Sequence, residues 1–467
     1  MSSLLAALAN GGNALRQFEK AVTAVQSNVV NASTPGYAAQ QLQFTAAPFS
    51  PDSGLYGGVE VNGIGSTRDE FAEAAVRRQA SQEGFYGQRV QTMSSIESAF
   101  DVGTSGGLTD TMQSLFNAFS AWAQQPNDAN TQQQVIAAAG DVAVAFRQTA
   151  QQIQNSATDA IQQAQTQVAK INAIGAQIAQ INRTLQQSGN AVSDNSDLYS
   201  KLEDLSAIAS FTVTRSSDNT VTVLLNGQVP LVIGEHSYQL QAGPQGTSTP
   251  GSPPSLQITD ASGQDVTSQF TTGSLGAIVQ SVNQDVASLL GGNGTVGSLN
   301  QLAMTFANRV NSLLMSGTNA SGASGAPLFQ VSGDGSSAST LSLTDITPDQ
   351  LAAVDPGPPA VANGIAAQLS GLNSSSNSQD QVNGLSYMDF YGQITSQVGS
   401  TSANAQTNQS RYSQLASQAR SLRSEVSGVS LDEEAVRLVE FQRAYDATAR
   451  TVTTINQMMD TLMQIGQ

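Results

Sequence analysis

Near the start of the chain Leu4, Leu8, Gly11, Leu15, Phe18, Val22, Val25 and Val29 follow one another at alternating spacings of four and three. Near the end Leu438, Phe441, Tyr445, Thr448, Val452, Ile455, Met459 and Leu462 do the same. That spacing lays each set along one stripe of an α-helix, the stripe that packs against a partner helix. Two such helices at opposite ends of one chain can pair with each other, with neighbouring copies, or with both.

Between these ends the period changes several times. The first helix, over about 1–33, closes at Asn31-Ala32-Ser33-Thr34-Pro35-Gly36-Tyr37, where Pro-Gly suits the centre of a type II turn. Residues 38–68 are mixed, and Gly57 to Gly65 read as a short β-hairpin or turn. Helices are expected at about 69–100 and 109–124. From Pro126 to Gln187 no further proline interrupts, which predicts a rod on the order of 85 Å long. Ile161, Ala164, Val168 and Ile171 keep a heptad in it, and Ile174, Ile178, Ile181 and Leu185 continue it after one irregular step. A rod of that length requires partner helices along it.

The period then drops to two. Phe211, Val213, Val221, Val223 and Leu225 alternate with polar residues, Asn226-Gly227 marks a tight turn, and Val229, Leu231 and Ile233 answer it. Helical patterns resume over 275–290 and 299–314, and short β pieces are expected around 328–329 and 341–343. Residues 372–380 read as a flexible linker by composition. A last pair of helices, about 387–426 and the terminal heptad helix, is divided at Ser427-Gly428. The expected fold is mainly α: long coiled-coil-like helical rods from both ends of the chain, with a small inserted β domain.

Composition narrows the function. Net charge is −17, which argues against nucleic acid and anionic membranes, since both attract concentrated Lys and Arg. No stretch reaches the roughly 20 apolar residues of a membrane-spanning helix. The absence of cysteine removes disulfides, thiolate metal sites and thiol nucleophiles. Gly57-Gly58 and Gly63-Ile64-Gly65 lack the Lys-Ser/Thr that a phosphate loop needs. Asp432, Glu433 and Glu434 open a helix, where acids complement the dipole. The single histidine, His236, cannot form a two-histidine metal motif. No catalytic, cofactor-binding or metal site is expected, and the chain is not read as an enzyme.

Two segments carry a resemblance. Asn28-Val29-Val30-Asn31-Ala32-Ser33-Thr34-Pro35-Gly36-Tyr37 resembles a signature of bacterial flagellar rod, hook and hook-associated proteins. The run from Ser427-Gly428-Val429-Ser430-Leu431-Asp432-Glu433-Glu434-Ala435 through Phe441-Gln442-Arg443-Ala444-Tyr445 resembles the matching C-terminal signature. The long rod and Met459-Asp460-Thr461-Leu462 resemble the FlgK type, the hook-associated proteins of the first hook-filament junction. The Tyr-Ser-Arg-Gln that often follows the first signature is Tyr37-Ala38-Ala39-Gln40 here.

The resemblance implies a structural flagellar component, exported by the flagellar type III apparatus without a cleaved signal and assembled extracellularly at the hook tip. Its implied partners are copies of itself in a ring, hook protein below, a second junction protein above, and a cytoplasmic FlgN-type export chaperone at the C-terminal helix. The expected assembly interface is Leu4, Leu8, Leu15, Phe18, Val22, Val25 and Val29 with Leu438, Phe441, Tyr445, Val452, Ile455, Met459 and Leu462. The expected turn motif is Asn28, Asn31, Thr34, Pro35, Gly36 and Tyr37. Residues 1–60 and 415–467 are expected to form a terminal coiled-coil core, 61–205 and 273–414 a helical rod domain with short β pieces, and 206–272 an outer β domain. Alternatives are a hook or distal-rod protein sharing the end motifs, or a secreted adhesin acting through the β insert.

Overall fold

A computed structural model gives the architecture and describes residues 2–34, 36–46, 59–100, 107–188, 192–218, 220–245, 252–292, 295–333, 335–374 and 377–465. The helices are α1 (Ser2–Asn31), α2 (Glu70–Glu97), α3 (Leu108–Gln124), α4 (Ala129–Ser188), α5 (Val192–Ile208), α6 (Gly273–Gln280), α7 (Ala287–Leu290), α8 (Ser298–Ser316), α9 (Ser337–Thr340), α10 (Gly364–Gly371), α11 (Tyr387–Ser427) and α12 (Leu431–Ile465). The strands are β1 (Gln40–Ala46), β2 (Val59–Ser66), β3 (Phe211–Arg215), β4 (Val221–Leu225), β5 (Val229–Ile233), β6 (His236–Ser237), β7 (Gln241–Pro244), β8 (Leu256–Thr259), β9 (Phe329–Gln330) and β10 (Ser342–Leu343). The mainly helical fold with a small β insertion is the one the periodicity predicts.

The predicted rod is α4, a single helix of 60 residues and therefore about 90 Å long. Its heptad residues Ile161, Ala164, Val168, Ile171, Ile174, Ile178 and Leu185 are buried, and Ile181 packs against the same core. The partners that such a length demands are α3 along its first half, α2, α5 and α6 beyond, and the β insertion. A second long pair, α2 against α11, runs beside it. Asp69 starts α2 by accepting a hydrogen bond from the Ala72 amide at 2.8 Å, the usual way a short acid satisfies a first-turn N–H.

The insertion forms a four-stranded antiparallel sheet in the order β3-β4-β5-β6 and a separate β7-β8 ladder. Asn226 and Gly227 both have positive φ and close the β4–β5 turn, with the Gln228 amide donating to the Leu225 carbonyl at 3.0 Å. Its apolar face does not close on itself. Val223, Leu225, Leu231, Leu240 and Ile258 join one continuous core with α4, where Leu231 lies against the bare backbone of Gly175.

Helix-borne asparagines fasten the extended pieces. Asn172 donates to the Leu240 carbonyl and accepts from its amide, both at 2.9 Å. Asn182 makes the same exchange with Val221 at 2.8 and 2.9 Å, and Asn283 with Leu256 at 2.8 Å in both directions. Asn311 does so with Phe329 at 2.7 and 2.9 Å. A primary amide has the donor–acceptor geometry of a peptide unit, so each residue acts as one position of a neighbouring strand. A π-helical turn over Ser281–Val286 interrupts the helix that carries Asn283. Asp285 from the same turn takes a forked ion pair from Arg89, at 2.6 and 3.2 Å.

Two local expectations fail. Gly57 to Gly65 do not fold back on themselves: 59–66 is one strand, β2, paired antiparallel with β1, while 57 and 58 lie outside the described residues. Gly63, at φ +147, belongs to this strand beside the register shift between Gln43 and Phe44. The 372–380 segment is not a free linker where it is described. Leu372 is buried, and Asp380 is buried and ion-paired with Arg309 at 2.5 Å, so two anchors override a polar composition.

Candidate assembly interface

The two end helices meet. α1 and α12 pack antiparallel: Gly11 faces Val452 so closely that a Cβ there would lie 2.5 Å from Val452 Cγ2, and Val22 shares a groove with Tyr445. Along the seam Leu4, Leu8, Leu15, Phe18 and Val22 of α1 are half-buried and Val25 is buried. Opposite them Leu438, Phe441, Tyr445, Val452, Ile455 and Met459 are half-buried. Val29 and Leu462 stand apart, 45% and 46% exposed. β1 adds Phe44 to the seam, its ring 6.3 Å from Phe18 and 5.8 Å from Phe441. Phe44 is not among the expected interface residues, although Leu42-Gln43-Phe44 alternates as a strand should.

A polar knot closes the end of this pair. Asn28 is fully buried; its amide donates to the Gln40 carbonyl and accepts from the Gln40 amide, each at 2.9 Å. Tyr37 donates its hydroxyl to the same Asn28 oxygen at 2.9 Å. Burial pushes the Tyr37 hydroxyl up from its ordinary value, with Glu434 nearby adding to the effect over a hydrogen bond with Ser27. Asn31 donates to the Ser27 carbonyl at 2.9 Å and accepts from Thr34 at 3.3 Å. The Tyr37 amide donates to the Thr34 carbonyl at 3.1 Å, and Gly36 sits at φ +76, which glycine adopts without strain. Pro35 lies outside the described residues. The geometry thus joins Asn28, Asn31, Thr34, Gly36 and Tyr37 in one turn.

That turn is tied to the corner between α11 and α12. The Ala39 amide donates to the Ser427 carbonyl at 2.9 Å, and Thr67 donates its hydroxyl to Ala39 and Ser427 carbonyls at 3.1 and 3.0 Å. The Asp69 amide donates to Ser427 Oγ at 3.0 Å. The two signature segments, some 390 residues apart in sequence, are therefore one structure. Ala39 is buried against this corner. Arg68 reaches the turn, donating to the Gly36 carbonyl at 2.6 Å, stacking on Tyr199 at 3.9 Å and pairing with Glu73.

From Glu73 an ion-pair chain continues into the rod. Arg423 binds Glu73 at 3.3 Å and Glu203 at 2.6 Å, and Arg420 binds Glu203 at 2.9 Å and Glu83 at 3.3 Å. It links α2, α5 and α11 just below the corner. Its members are scattered in sequence, and no spacing signals them. On α12 the buried Glu434 pairs with Arg437 at 3.0 Å, and Gln41, with its amide oxygen toward the guanidinium, accepts from Arg437 at 2.8 and 3.1 Å.

Residues 93–329, just over half of the chain, match the family model described as "Flagellar hook-associated protein FlgK helical domain". The chain belongs to the FlgK family of flagellar hook-associated proteins. Residues 420–465 also match the family described as "Flagellar basal body rod FlgEFG protein C-terminal". "Flagellar hook-associated protein 1" of Bacillus subtilis (strain 168) is 24% identical, the alignment covering 98% of each chain. The Escherichia coli (strain K12) protein of the same description is 23% identical over the full length of both. The fold is shared with the flagellar hook junction protein FlgK from Burkholderia pseudomallei, with a TM-score of 0.62 at 15% identity, covering 75% of this chain and 98% of that one. Like other members of the FlgK family, the chain is a structural component of the flagellum. Among its described residues no helix is long and apolar enough to cross a membrane.

Proposed function

We propose that the α1/α12 pair is an incomplete core that copies of the chain complete by stacking at the hook tip, forming the hook-filament junction. One observation carries this reading: the pair leaves large apolar side chains of α12 uncovered. Leu431, Val436, Val439, Met458, Leu462 and Met463 of α12 are all more than two-fifths exposed. Gln17 Oε1 and Glu434 Oε2 are buried at this pair with no hydrogen-bond partner among the described residues. Large apolar side chains left in water on one helix mark a surface that another chain covers, and burying each contributes roughly 1.5–3 kcal/mol before ordering entropy is subtracted.

In this reading residues 1–60 and 415–467 form the assembly core, with the terminal seam at its centre. Residues 61–205 and 273–414 form the rod around it, and 206–272 lie furthest out. Hook protein lies below, a second junction protein above, and copies of the chain form the ring. Before export by the flagellar type III apparatus, a FlgN-type chaperone covers the apolar face of α12.

Deletion of the gene tests the reading. Hooks without filaments, with flagellin lost to the medium, are expected on electron microscopy and blotting. Normal filaments would overturn it, and missing hooks would move the protein to the rod or hook.

A further inference from the structure

A cleft of about 600 Å³ opens between α2, the end of α5, β3 and α11, well away from the terminal seam. Arg77, Arg78, Gln79 and Ser81 of α2 line it, with Thr272 and Tyr412 opposite. Neither arginine has an ion-pair or hydrogen-bond partner among the described residues, and no carboxylate lines the cleft. Carboxylates are not scarce, since the chain has 35 acids against 18 Lys and Arg. Ser81 is more than nine-tenths buried, and its hydroxyl, the Thr272 hydroxyl and Gln79 Oε1 have no hydrogen-bond partner among the described residues. A buried hydroxyl without an acceptor costs free energy in the isolated chain, about 1–3 kcal/mol. The cleft thus gathers the guanidinium groups of two consecutive arginines and unused hydroxyl donors, and none of the described residues supplies it an anion.

We infer that this cleft receives an acidic side chain from a neighbouring copy of the chain. Arginine's planar fork binds a carboxylate through two parallel hydrogen bonds, and unused hydroxyls can add more. The choice of a second copy rests on charge. Copies carrying −17 each repel one another, and close stacking favours sites where one copy's positive groups meet its neighbour's acids. The inference rests on the polymer proposed above and concerns a different surface.

The test places a photo-reactive amino acid at Gln82, which also lines the cleft, in full-length protein in cells building flagella. Irradiation followed by mass spectrometry of purified flagella should give adducts to an Asp- or Glu-bearing segment of a second copy. Adducts only to a different protein, or none although the protein is present in flagella, would overturn the inference. In parallel, Arg77→Glu with Arg78→Glu should reduce incorporation per flagellum by about tenfold, because a like charge then faces the acid. Export into the medium and thermal stability should be unchanged, and Arg77→Lys with Arg78→Lys should retain most of the incorporation. Normal incorporation of the double Glu variant would contradict the inference. If the unsubstituted protein is absent from flagella, the polymer reading fails instead.

Discussion

At the scale of single residues the chain uses asparagine where most folds would use another strand. Asn28, Asn172, Asn182, Asn283 and Asn311 each exchange hydrogen bonds with one extended backbone position. In sequence they were indistinguishable from the Asn-, Gln- and Ser-rich surface, because a helix-borne amide carries no mark of which way it points. Only Asn28 stood out, through its place in the first signature. Replacing it with alanine strands the Tyr37 hydroxyl and both Gln40 backbone groups, at about 1–3 kcal/mol for each buried group left unpaired. Hydrogen exchange at the Gln40 amide should therefore speed up by at least about tenfold in Asn28→Ala, while the α4 core keeps its protection. Glu203 sets a pH dependence. Burial acts to raise its carboxyl, but hydrogen bonds and charge from Arg420 and Arg423 prevail and hold it below the ordinary 4.5. A carboxylate depressed by folding stabilises above its unfolded value, and that contribution is lost as pH falls through the folded one. Urea midpoints should show Glu203→Gln less stable at neutral pH, with the gap closing as the medium is acidified below about 4.5.

At the scale of elements, glycines on one helix have opposite roles. A Cβ at Gly84 would lie 2.0 Å from the Ala207 carbonyl oxygen, so α2 and α5 approach this closely only without one. Three residues on, Gly87 has open space where its Cβ would stand. Gly84→Ala should destabilise the chain by about 1–3 kcal/mol through forced backbone movement. Gly87→Ala should stabilise it by about 0.5–1 kcal/mol through helix propensity. Thermal unfolding of the two variants checks both signs, and a stabilising Gly84→Ala would refute the packing argument. In the terminal pair, Gly11→Leu should push α1 away from Val452 and lower helical content by circular dichroism. Fluorescence of Trp122, buried in α3 away from the pair, should not change. The helices themselves were legible because their apolar periods are long and uninterrupted. The β1–β2 ladder was not, because its pairing spans a stretch of glycine and proline that carries no period. The 372–380 anchors were hidden because one buried leucine and one ion pair leave composition unchanged.

At the scale of the molecule, one continuous core runs through the helical rod and the β insertion, while the exposed apolar residues concentrate at the two ends. Phe71 stands 87% exposed beside the corner, and α12 shows apolar side chains along its length. Both signature segments were readable in the sequence, and their union at Ala39, Thr67, Asp69 and Ser427 was not, since nothing local records a contact across the whole chain. In the proposed function, neighbouring copies finish this end of the molecule. Ile455→Asp tests that most directly, since an acid at a half-buried seam position resists closure of the pair and its stacking in a polymer. The measurement is immunogold labelling of isolated hooks, with the exported protein measured in the medium and circular dichroism on the purified variant. A folded rod, normal export and unlabelled hook tips are expected. Hook tips labelled as densely as with the unsubstituted chain would contradict the proposed function.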